Sequence, residues 1–362
     1  MSFRRDEIIF LLGAGASVDA KIPASYQMIE EIEKKVEADE KWKKYRDLYF
    51  FIKSAILFSE GIKGNKDPQY NIEILLITLE ELLKRDSHPL FPFIGSWVPK
   101  LPEVAKEGFC LVSDLKNQIV ISVRDWIIPR HDDVFQYYRG LFRFQRSLEF
   151  PLRIFTLNYD LAIETTAKNF EGERPRVERG FNPENRKWEW KLLADEVSDN
   201  INIFLYKLHG SIDWLRSDDG SLDECANLTI DEKSEIIFGT AYKMQYADPF
   251  LFFAYEFRKR TLDDAKLIFC VGYSFSDDHI NKILQQAIQA DPSRRIISVN
   301  PFNSEVNERK RIICSKLKIK IEETAYEQIV PLNQTAKSFF EKLDINFAKQ
   351  YKKQDDSDVP FN

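Results

Sequence analysis

A short apolar stretch that ends in a turn of small residues is the most restrictive feature of the sequence. Ile8 to Leu12 are five consecutive apolar residues, and Gly13-Ala14-Gly15-Ala16-Ser17 follows them. Five residues are too few for a stable helix, whereas a short apolar run bounded by glycine is typical of a strand buried on both faces. The chain has only 13 glycines in 362 residues, about half the usual share of roughly 7%. Two of them in one turn therefore indicate a constrained backbone after a buried strand.

The same pattern of a strand followed by a polar turn returns four times after residue 150. Strands are predicted at 152–157, 203–208, 265–271 and 295–299, with helices at 160–169, 249–260 and 277–290. The turns carry Thr156-Leu-Asn158-Tyr-Asp160, Lys207-Leu-His209-Gly210-Ser211, Val271-Gly272-Tyr-Ser274-Phe-Ser276 and Val299-Asn300. Strands that alternate with helices predict an α/β protein with a Rossmann-like parallel sheet. We expect Ser276 to cap the helix that follows it.

The segment between the first strand and residue 150 is predicted to be helical. Met28, Ile29, Ile32 and Val36 recur at helical spacing, and residues 72–83 form a second amphipathic pattern. We therefore predict a sheet domain made of residues 1–23 and 150–330, with 24–149 as a large α-helical insert. A C-terminal helix is expected at 331–350, and the polar residues 351–362 are expected to be disordered.

Composition narrows the class of protein. The formal net charge is −6, so the chain has no overall positive field for direct contact with nucleic acid. The first apolar run, Ile8 to Leu12, is too short for a secretory signal or a membrane span, and we expect a cytoplasmic protein without membrane contact. The cysteines at 110, 225, 270 and 314 form no CxxC pair, which argues for free thiols and against a metal site.

Several turn residues suit nucleotide chemistry. Ligands of open α/β sheets bind beyond the carboxyl ends of the strands, and glycines there let backbone N–H groups approach a pyrophosphate. His209 is suited to proton transfer near neutral pH. Val18 stands where a dehydrogenase fingerprint would have its third glycine, which disfavours hydride transfer. Plain strand-to-helix turns, with Asp160 serving only the next helix, remain the alternative.

The five turn motifs, in this order, resemble the NAD-binding fold of the sirtuins. Lysine-deacylating sirtuins also carry a four-cysteine zinc ribbon, and they have an Asp-Phe-Arg segment where this chain has Ala24-Ser25-Tyr26. The pattern is more similar to the sirtuin-like effector domains of bacterial antiphage systems. Those domains lack the ribbon and hydrolyse NAD+ to nicotinamide and ADP-ribose.

The resemblance implies a set of site residues, with NAD as the substrate and no metal. The implied catalytic residues are Asn158, which would hold the ribose and the attacking water, His209 as general base, and Asp160 as an orienting or electrostatic group. The implied cofactor-binding residues are Gly13, Ala14, Gly15, Ser17, Pro23, Thr156, Gly272, Ser274 and Asn300.

The resemblance also implies a biological setting. It predicts an NAD+ glycohydrolase that depletes NAD+ in abortive infection, acts as a homo-oligomer, and receives its trigger from a second protein such as a HerA-like ATPase or a short Argonaute. Two alternatives stay open, which are an NAD-dependent protein deacylase and a non-catalytic sensor of NAD or ADP-ribose.

Overall fold

The chain forms two compact units. One combines Met1–Ile22 with Pro129–Asn362, and the other is Pro23–Ile128. The structure, a computed structural model, describes residues 3–64, 70–84, 100–129, 131–194, 200–217, 219–225, 234–236, 248–321 and 323–352.

The larger unit is built on a parallel sheet of short strands. In chain order the strands are β1 (Ile8–Leu12), β2 (Leu152–Thr156), β3 (Val177–Glu178), β4 (Ile203–Lys207), β5 (Gly210–Arg216), β6 (Leu222–Glu224), β7 (Ser234–Ile236), β8 (Leu267–Val271), β9 (Arg295–Val299) and β10 (Ile329–Leu332). Among the described residues, the main sheet has seven strands in the order β10-β9-β8-β1-β2-β4-β3, all paired in parallel. β6, β5 and β7 form a small antiparallel sheet. The predicted Rossmann-like α/β fold is confirmed.

Helices pack on both faces of the main sheet. Over the described residues of both units, the helices are α1 (Ser25–Ala38), α2 (Arg46–Ile62), α3 (Ile72–Leu83), α4 (Lys100–Ala105), α5 (Cys110–Ile127), α6 (Arg139–Arg146), α7 (Ala162–Lys168), α8 (Phe250–Lys259), α9 (Asp278–Ala290), α10 (Val306–Lys316), α11 (Ala336–Lys342) and α12 (Ile345–Lys349). Ile9 and Leu11 of β1 belong to a core shared with α8, α9 and α10. Phe10 packs instead against Phe144 of α6. Because successive side chains of a strand point to opposite faces, a strand covered on both sides needs the unbroken apolar run seen at 8–12.

The chain changes direction at β1, the central strand. It continues from β1 to β2 and β4 on one side, and it later returns to β8 on the other side. Leu12 is paired with Thr156 of β2 and with Val271 of β8, so three strands end at the same level. Ligands of open α/β sheets bind at such a switch point. A ligand site is therefore expected in the segments just beyond these three residues.

The smaller unit, Pro23–Ile128, is helical in its described residues. Ile32 of α1 and Leu75 and Leu79 of α3 are buried. The side chain of Asn71 begins α3 by accepting a hydrogen bond from the Ile74 N–H at 3.1 Å. The apolar face of α3 is thus part of a helical core.

The insert ends earlier than the sequence predicts. Residues 129–149 cluster with the sheet unit and not with the helical unit. Phe144 packs edge-to-face on Phe10 with ring centroids 6.0 Å apart. A Cβ atom on Gly140 would lie 1.9 Å from the backbone oxygen of Phe340, so α6 lies directly against α11. These contacts tie the segment to the sheet.

The predicted C-terminal helix at 331–350 is wrong in its boundaries. β10 occupies Ile329–Leu332, and two short helices, α11 and α12, follow it. The strand was not predicted because it contains Pro331. Proline is nevertheless tolerated in an edge strand such as β10. The predicted tail, 351–362, lies outside the described residues from 353 onward. Lys352 is placed, with its Nζ 2.8 Å from Glu7 Oε2.

Candidate functional site

The predicted site residues lie almost entirely at the carboxyl edge of the main sheet. They come from the segments that follow β1, β2, β4, β8 and β9, while Thr156 is the last residue of β2. Pro23 is the exception, because it is the first residue of the helical unit. Parallel pairing gathers the other positions at one edge, as the turn motifs predict.

A buried hydroxyl joins two of the predicted catalytic residues. Ser17 Oγ donates a hydrogen bond to Asp160 Oδ2 at 2.7 Å, and it accepts one from Asn158 Nδ2 at 3.1 Å. Ser17, Asn158 and Asp160 are only 1%, 8% and 7% exposed. Ser17 is therefore a bridge between the segment after β1 and the segment after β2. We call these three residues the Ser17 network.

Local hydrogen bonds fix the segment after β2. The Asn158 N–H donates to Thr156 Oγ1 at 3.1 Å. Asp160 Oδ1 accepts from the Ala162 N–H at 3.1 Å in an Asx turn at the start of α7. One carboxyl oxygen of Asp160 therefore serves the start of α7, and the other contacts Ser17.

The surroundings of Asp160 are electrostatically unusual. Burial raises the pKa of the Asp160 carboxyl, while the Lys207 ammonium and the Ser17 hydrogen bond oppose that rise. Lys207 Nζ donates to the Asp160 carbonyl oxygen and lies 3.2 Å from Glu164 Oε1. Together with Asn158 and other residues these groups line a cavity of about 10 Å³, which is room for about one water molecule.

Two tyrosines hold the turn that carries Ser17. The hydroxyls of Tyr137 and Tyr138 donate to the Ala16 carbonyl oxygen at 2.7 and 3.0 Å. The Tyr138 hydroxyl also lies 3.2 Å from Ser17 Oγ. Burial raises the pKa of Tyr138, so this residue acts as a neutral donor. The 3-10 turn at Ala14–Ala16 is thus anchored from outside the predicted site.

His209 is buried beyond the end of β4. Its Nε2 atom lies 3.3 Å from Asp277 Oδ2, and the two side chains are 4% and 6% exposed. The ring is close to that of Tyr159, with centroids 6.4 Å apart. Asp277, which sequence reasoning did not select, is therefore the carboxylate partner of the predicted base.

The helix cap after β8 also differs from the prediction. Asp277, and not Ser276, caps α9, since Asp277 Oδ1 accepts from the N–H groups of His279 and Ile280 at 3.0 and 3.3 Å. The Ser276 hydroxyl instead lies 2.9 Å from Ser274 Oγ at the surface. The prediction chose the cap one residue too early.

The glycines pack one turn against another. The N–H groups of Gly13 and Gly15 donate to the carbonyl oxygens of Val271 and Gly272, both at 2.9 Å. A Cβ atom on Gly272, which has φ +66°, would lie 1.9 Å from the Ala16 nitrogen. We expected the glycines to open space for a pyrophosphate. The structure shows that the Cβ positions of Gly13, Gly15 and Gly272 face the backbone of the opposite turn, so only glycine allows the two turns to pack this closely.

The turns after β8 and β9 are also linked. Asn300 Nδ2 donates to the Tyr273 carbonyl oxygen at 3.0 Å, which connects the two predicted nucleotide-binding turns. Ser274 is exposed, and its carbonyl oxygen accepts from Lys316 Nζ at 2.8 Å. Ser274 is therefore accessible for contact with a ligand.

Sequence reasoning missed Tyr138, Lys207 and Asp277. Lys207 is the first residue of the turn motif that contains His209, and Asp277 stands in an acidic pair at a helix start. The sequence positions of Lys207 and Asp277 thus place both residues near the predicted site. Their contacts could not be predicted, because the residues that they contact lie far away in the chain. Tyr138 carried no comparable signal.

Across the residues that the structure describes, no group of three or more His, Cys, Asp or Glu residues could hold a metal ion. The four cysteines, all of which the structure describes, form no disulfide bond with one another. Across the same ranges, no helix combines the length and apolar character needed to cross a membrane.

The fold and the site define a Rossmann-like domain with polar groups at the switch point of its sheet. Residues 152–321 match the family model of the SIR2-like domain, so the chain carries a sirtuin-like domain, as its motifs predict. The match includes the turns after β2, β4, β8 and β9, while the turn after β1 precedes it. No curated protein matches the chain. At the level of the family, the domain indicates NAD-related activity.

Proposed function

We propose that the chain is an NAD+ glycohydrolase, which breaks the bond between nicotinamide and ribose C1′ with water and releases nicotinamide and ADP-ribose. The Ser17 network carries the proposal. It brings an amide, a hydroxyl and a carboxyl group from two segments to the carboxyl edge of a sirtuin-like domain.

The chemistry sets clear requirements. The electron pair of the broken bond leaves with nicotinamide, which departs as a neutral molecule and needs no general acid, unlike the oxygen leaving group of ordinary glycosides. Positive charge develops on the ribose, and a water oxygen then bonds to C1′ and loses one proton. The protein must hold the ribose, favour positive charge there, and accept that proton.

Side chains of the site meet these requirements in our proposal. Asn158, oriented by Ser17, binds the ribose and the attacking water. Asp160 supplies negative charge, and His209 accepts the proton as general base. The turn at Gly13–Ser17 holds the ADP part together with Gly272, Ser274 and Asn300, and contacts from Pro23 and Thr156 stay predictions.

Burial of the site supports latent activity. Asn158, Asp160 and His209 are each less than a tenth exposed, and the cavity beside the first two holds about one water molecule. A dinucleotide reaches them only after covering atoms move. We therefore propose that activity is low until a trigger opens the site.

The central experiment incubates the purified full chain with NAD+ and quantifies nicotinamide and ADP-ribose by mass spectrometry. Asn158→Ala and His209→Ala are expected to lower the rate by roughly 100-fold or more, the range that positioned catalytic groups supply. Asn346→Ala, at an exposed position of α12, is the matched control and is expected to keep the wild-type rate. Hydrolysis that persists in both site variants would contradict the proposal.

The two alternatives predict different products. A protein deacylase would release nicotinamide only when an acylated peptide is added, and it would form acylated ADP-ribose. A sensor would bind NAD+ and leave it intact after prolonged incubation at high protein concentration. Either result would replace the hydrolase assignment.

We further propose that the enzyme depletes NAD+ in antiphage defence as a homo-oligomer, triggered by a HerA-like ATPase or a short Argonaute. This part rests on the resemblance of the motifs to antiphage effector domains. Cellular NAD+, measured in phage-challenged cells that carry wild type or Asn158→Ala, tests it. Equal NAD+ in both strains would refute the role.

A further inference from the structure

We infer that Asp277 is a positioning residue, which holds His209 with a proton on Nε2 and leaves Nδ1 as the nitrogen that accepts a proton. The role of Asp277 in catalysis rests on the proposed function, whereas the position of the proton on the His209 imidazole does not. The burial of both side chains and the distance between His209 Nε2 and Asp277 Oδ2 carry the inference.

The contact determines the tautomer. His209 Nε2 lies 3.3 Å from Asp277 Oδ2, and both side chains are nearly excluded from solvent. A carboxylate oxygen only accepts hydrogen bonds, so a ring nitrogen that faces it carries the hydrogen. In a neutral imidazole the other nitrogen, Nδ1, then has the free electron pair. Proton transfer in the reaction therefore uses Nδ1, and the Nε2 proton stays in place.

The other oxygen of Asp277 fixes the carboxylate in space. Asp277 Oδ1 accepts from the N–H groups of His279 and Ile280 at the start of α9. The positive end of the α9 dipole also favours the negative charge of a carboxylate at this position. Each oxygen thus has a separate role, one toward the helix and one toward His209.

The segment before Asp277 is itself locked. Asn281 of α9 donates from Nδ2 to the Phe275 carbonyl oxygen at 2.9 Å and accepts from the Tyr273 hydroxyl at 2.9 Å. The Tyr273 hydroxyl also lies 3.2 Å from the Asp277 carbonyl oxygen. Asp277 therefore has its position before any substrate arrives.

A single substitution can separate the two roles of Asp277, which are to cap α9 and to orient His209. Asp277→Asn keeps an oxygen to cap α9, because Asn is as good a cap as Asp. Its amide then faces His209 in place of a charged carboxylate. We expect kcat to fall by roughly 10- to 100-fold, part of the 10²–10⁴ that a general base supplies. KM for NAD+ is expected to change by less than about threefold, since the residue acts through His209.

A matched control is present in the same unit. Asp344 caps α12 in the same manner, accepting from the Phe347 N–H at 2.7 Å. Asp344→Asn makes the same chemical change at a helix start without touching His209. It is expected to leave kcat and KM unchanged.

A spectroscopic measurement tests the inference without any turnover. The chain has only four histidines, so ¹⁵N-histidine labelling of the full protein gives few signals, and His209→Gln assigns the relevant pair. Near pH 8, above the ordinary histidine pKa of about 6.5, wild type is expected to show a proton on Nε2. Asp277→Asn is expected to move it toward Nδ1, because the amide N–H₂ favours a bare Nε2.

The outcomes separate the two proposals. A bare Nε2 in wild type, or an unchanged tautomer in Asp277→Asn, would overturn the inference. A changed tautomer with unchanged kcat would overturn the positioning role. A changed tautomer in a protein that does not hydrolyse NAD+ would support the assignment of Asp277 to His209 and refute the proposed function alone.

Discussion

Removal of the Ser17 hydroxyl tests whether one buried group holds the site together. Ser17→Ala deletes the hydrogen bond to Asp160 Oδ2 at 2.7 Å and the one from Asn158 Nδ2 at 3.1 Å. Ser17 is 1% exposed, so water does not replace these partners. Alanine is smaller by a single oxygen atom, and little cavity cost is expected.

The magnitude follows from the two lost bonds. A hydrogen bond to a charged group contributes about 1.5–3 kcal/mol, and an ordinary one about 1 kcal/mol. We therefore expect Ser17→Ala to lower the free energy of unfolding by about 3 kcal/mol. The Ser17 bond also opposes the rise in the pKa of Asp160, so the variant is expected to have a still higher Asp160 pKa.

A double-mutant cycle isolates the contact. Urea unfolding is measured for wild type, Ser17→Ala, Asp160→Asn and the double variant. We expect a coupling energy of at least about 1 kcal/mol, since residues that share a hydrogen-bond network are not additive. Ser315→Ala, at an exposed position of α10, is the control and is expected to change stability by less than about 0.5 kcal/mol. Effects that add within about 0.3 kcal/mol would refute the bridge.

Three further predictions concern backbone packing, titration and thiol chemistry. Gly272→Ala is expected to cost more than about 3 kcal/mol in thermal or urea unfolding, because its Cβ would lie 1.9 Å from the Ala16 nitrogen. Burial raises the folded-state pKa of Asp160, so its stabilising contribution is complete below the unfolded pKa of about 3.9 and is lost as pH rises through the folded pKa. The stability of Asp160→Asn relative to wild type is therefore expected to increase with pH in unfolding series between about pH 4 and pH 8. Cys270 is buried with a raised pKa, while Cys110 is exposed, so mass spectrometry after brief alkylation of the native protein is expected to find Cys110 modified and Cys270 intact.

Each of these predictions has a clear opposing result. Gly220 also has a positive φ but open space around its Cβ position, so equal losses from Gly220→Ala and Gly272→Ala would contradict the packing argument. A stability difference that does not vary with pH would contradict the titration of Asp160. Equal alkylation of the two thiols would show that Cys270 is accessible.

The strand tips could be predicted because local pattern and parallel topology agree. A five-residue apolar run such as Ile8–Leu12 fits only a strand covered on both faces, and parallel pairing then places every strand end at one edge. Asn158 and Asp160 are adjacent to one such end, which was enough to place them near the turn after β1. The contact of Ser17 with these two residues could be inferred only once the pairing of β1 with β2 was known.

Contacts across the sheet could not be predicted from local pattern. The pairing of His209 with Asp277 depends on two turns that are distant in the chain, and the chain contains many acidic helix starts of similar appearance. The same limit applies to Gly272, where the close approach of the neighbouring backbone requires glycine in addition to the positive φ of its own turn. β10 was missed for a different reason, because Pro331 is unfavourable in most strands and acceptable only at an edge.

The central position of β1 has a consequence for how this protein is made. β1 pairs with both β2 and β8, yet it leaves the ribosome before the whole of Pro23–Ile128 has been synthesised. At roughly 5–20 residues per second, the strand waits on the order of 10 s for its first partner. During that time its five apolar residues must be kept from aggregating without their partner strands. The rate at which the helical unit is translated therefore affects how the sheet folds. Residues 152–321, expressed alone, would lack the strand on which both halves of the sheet are built.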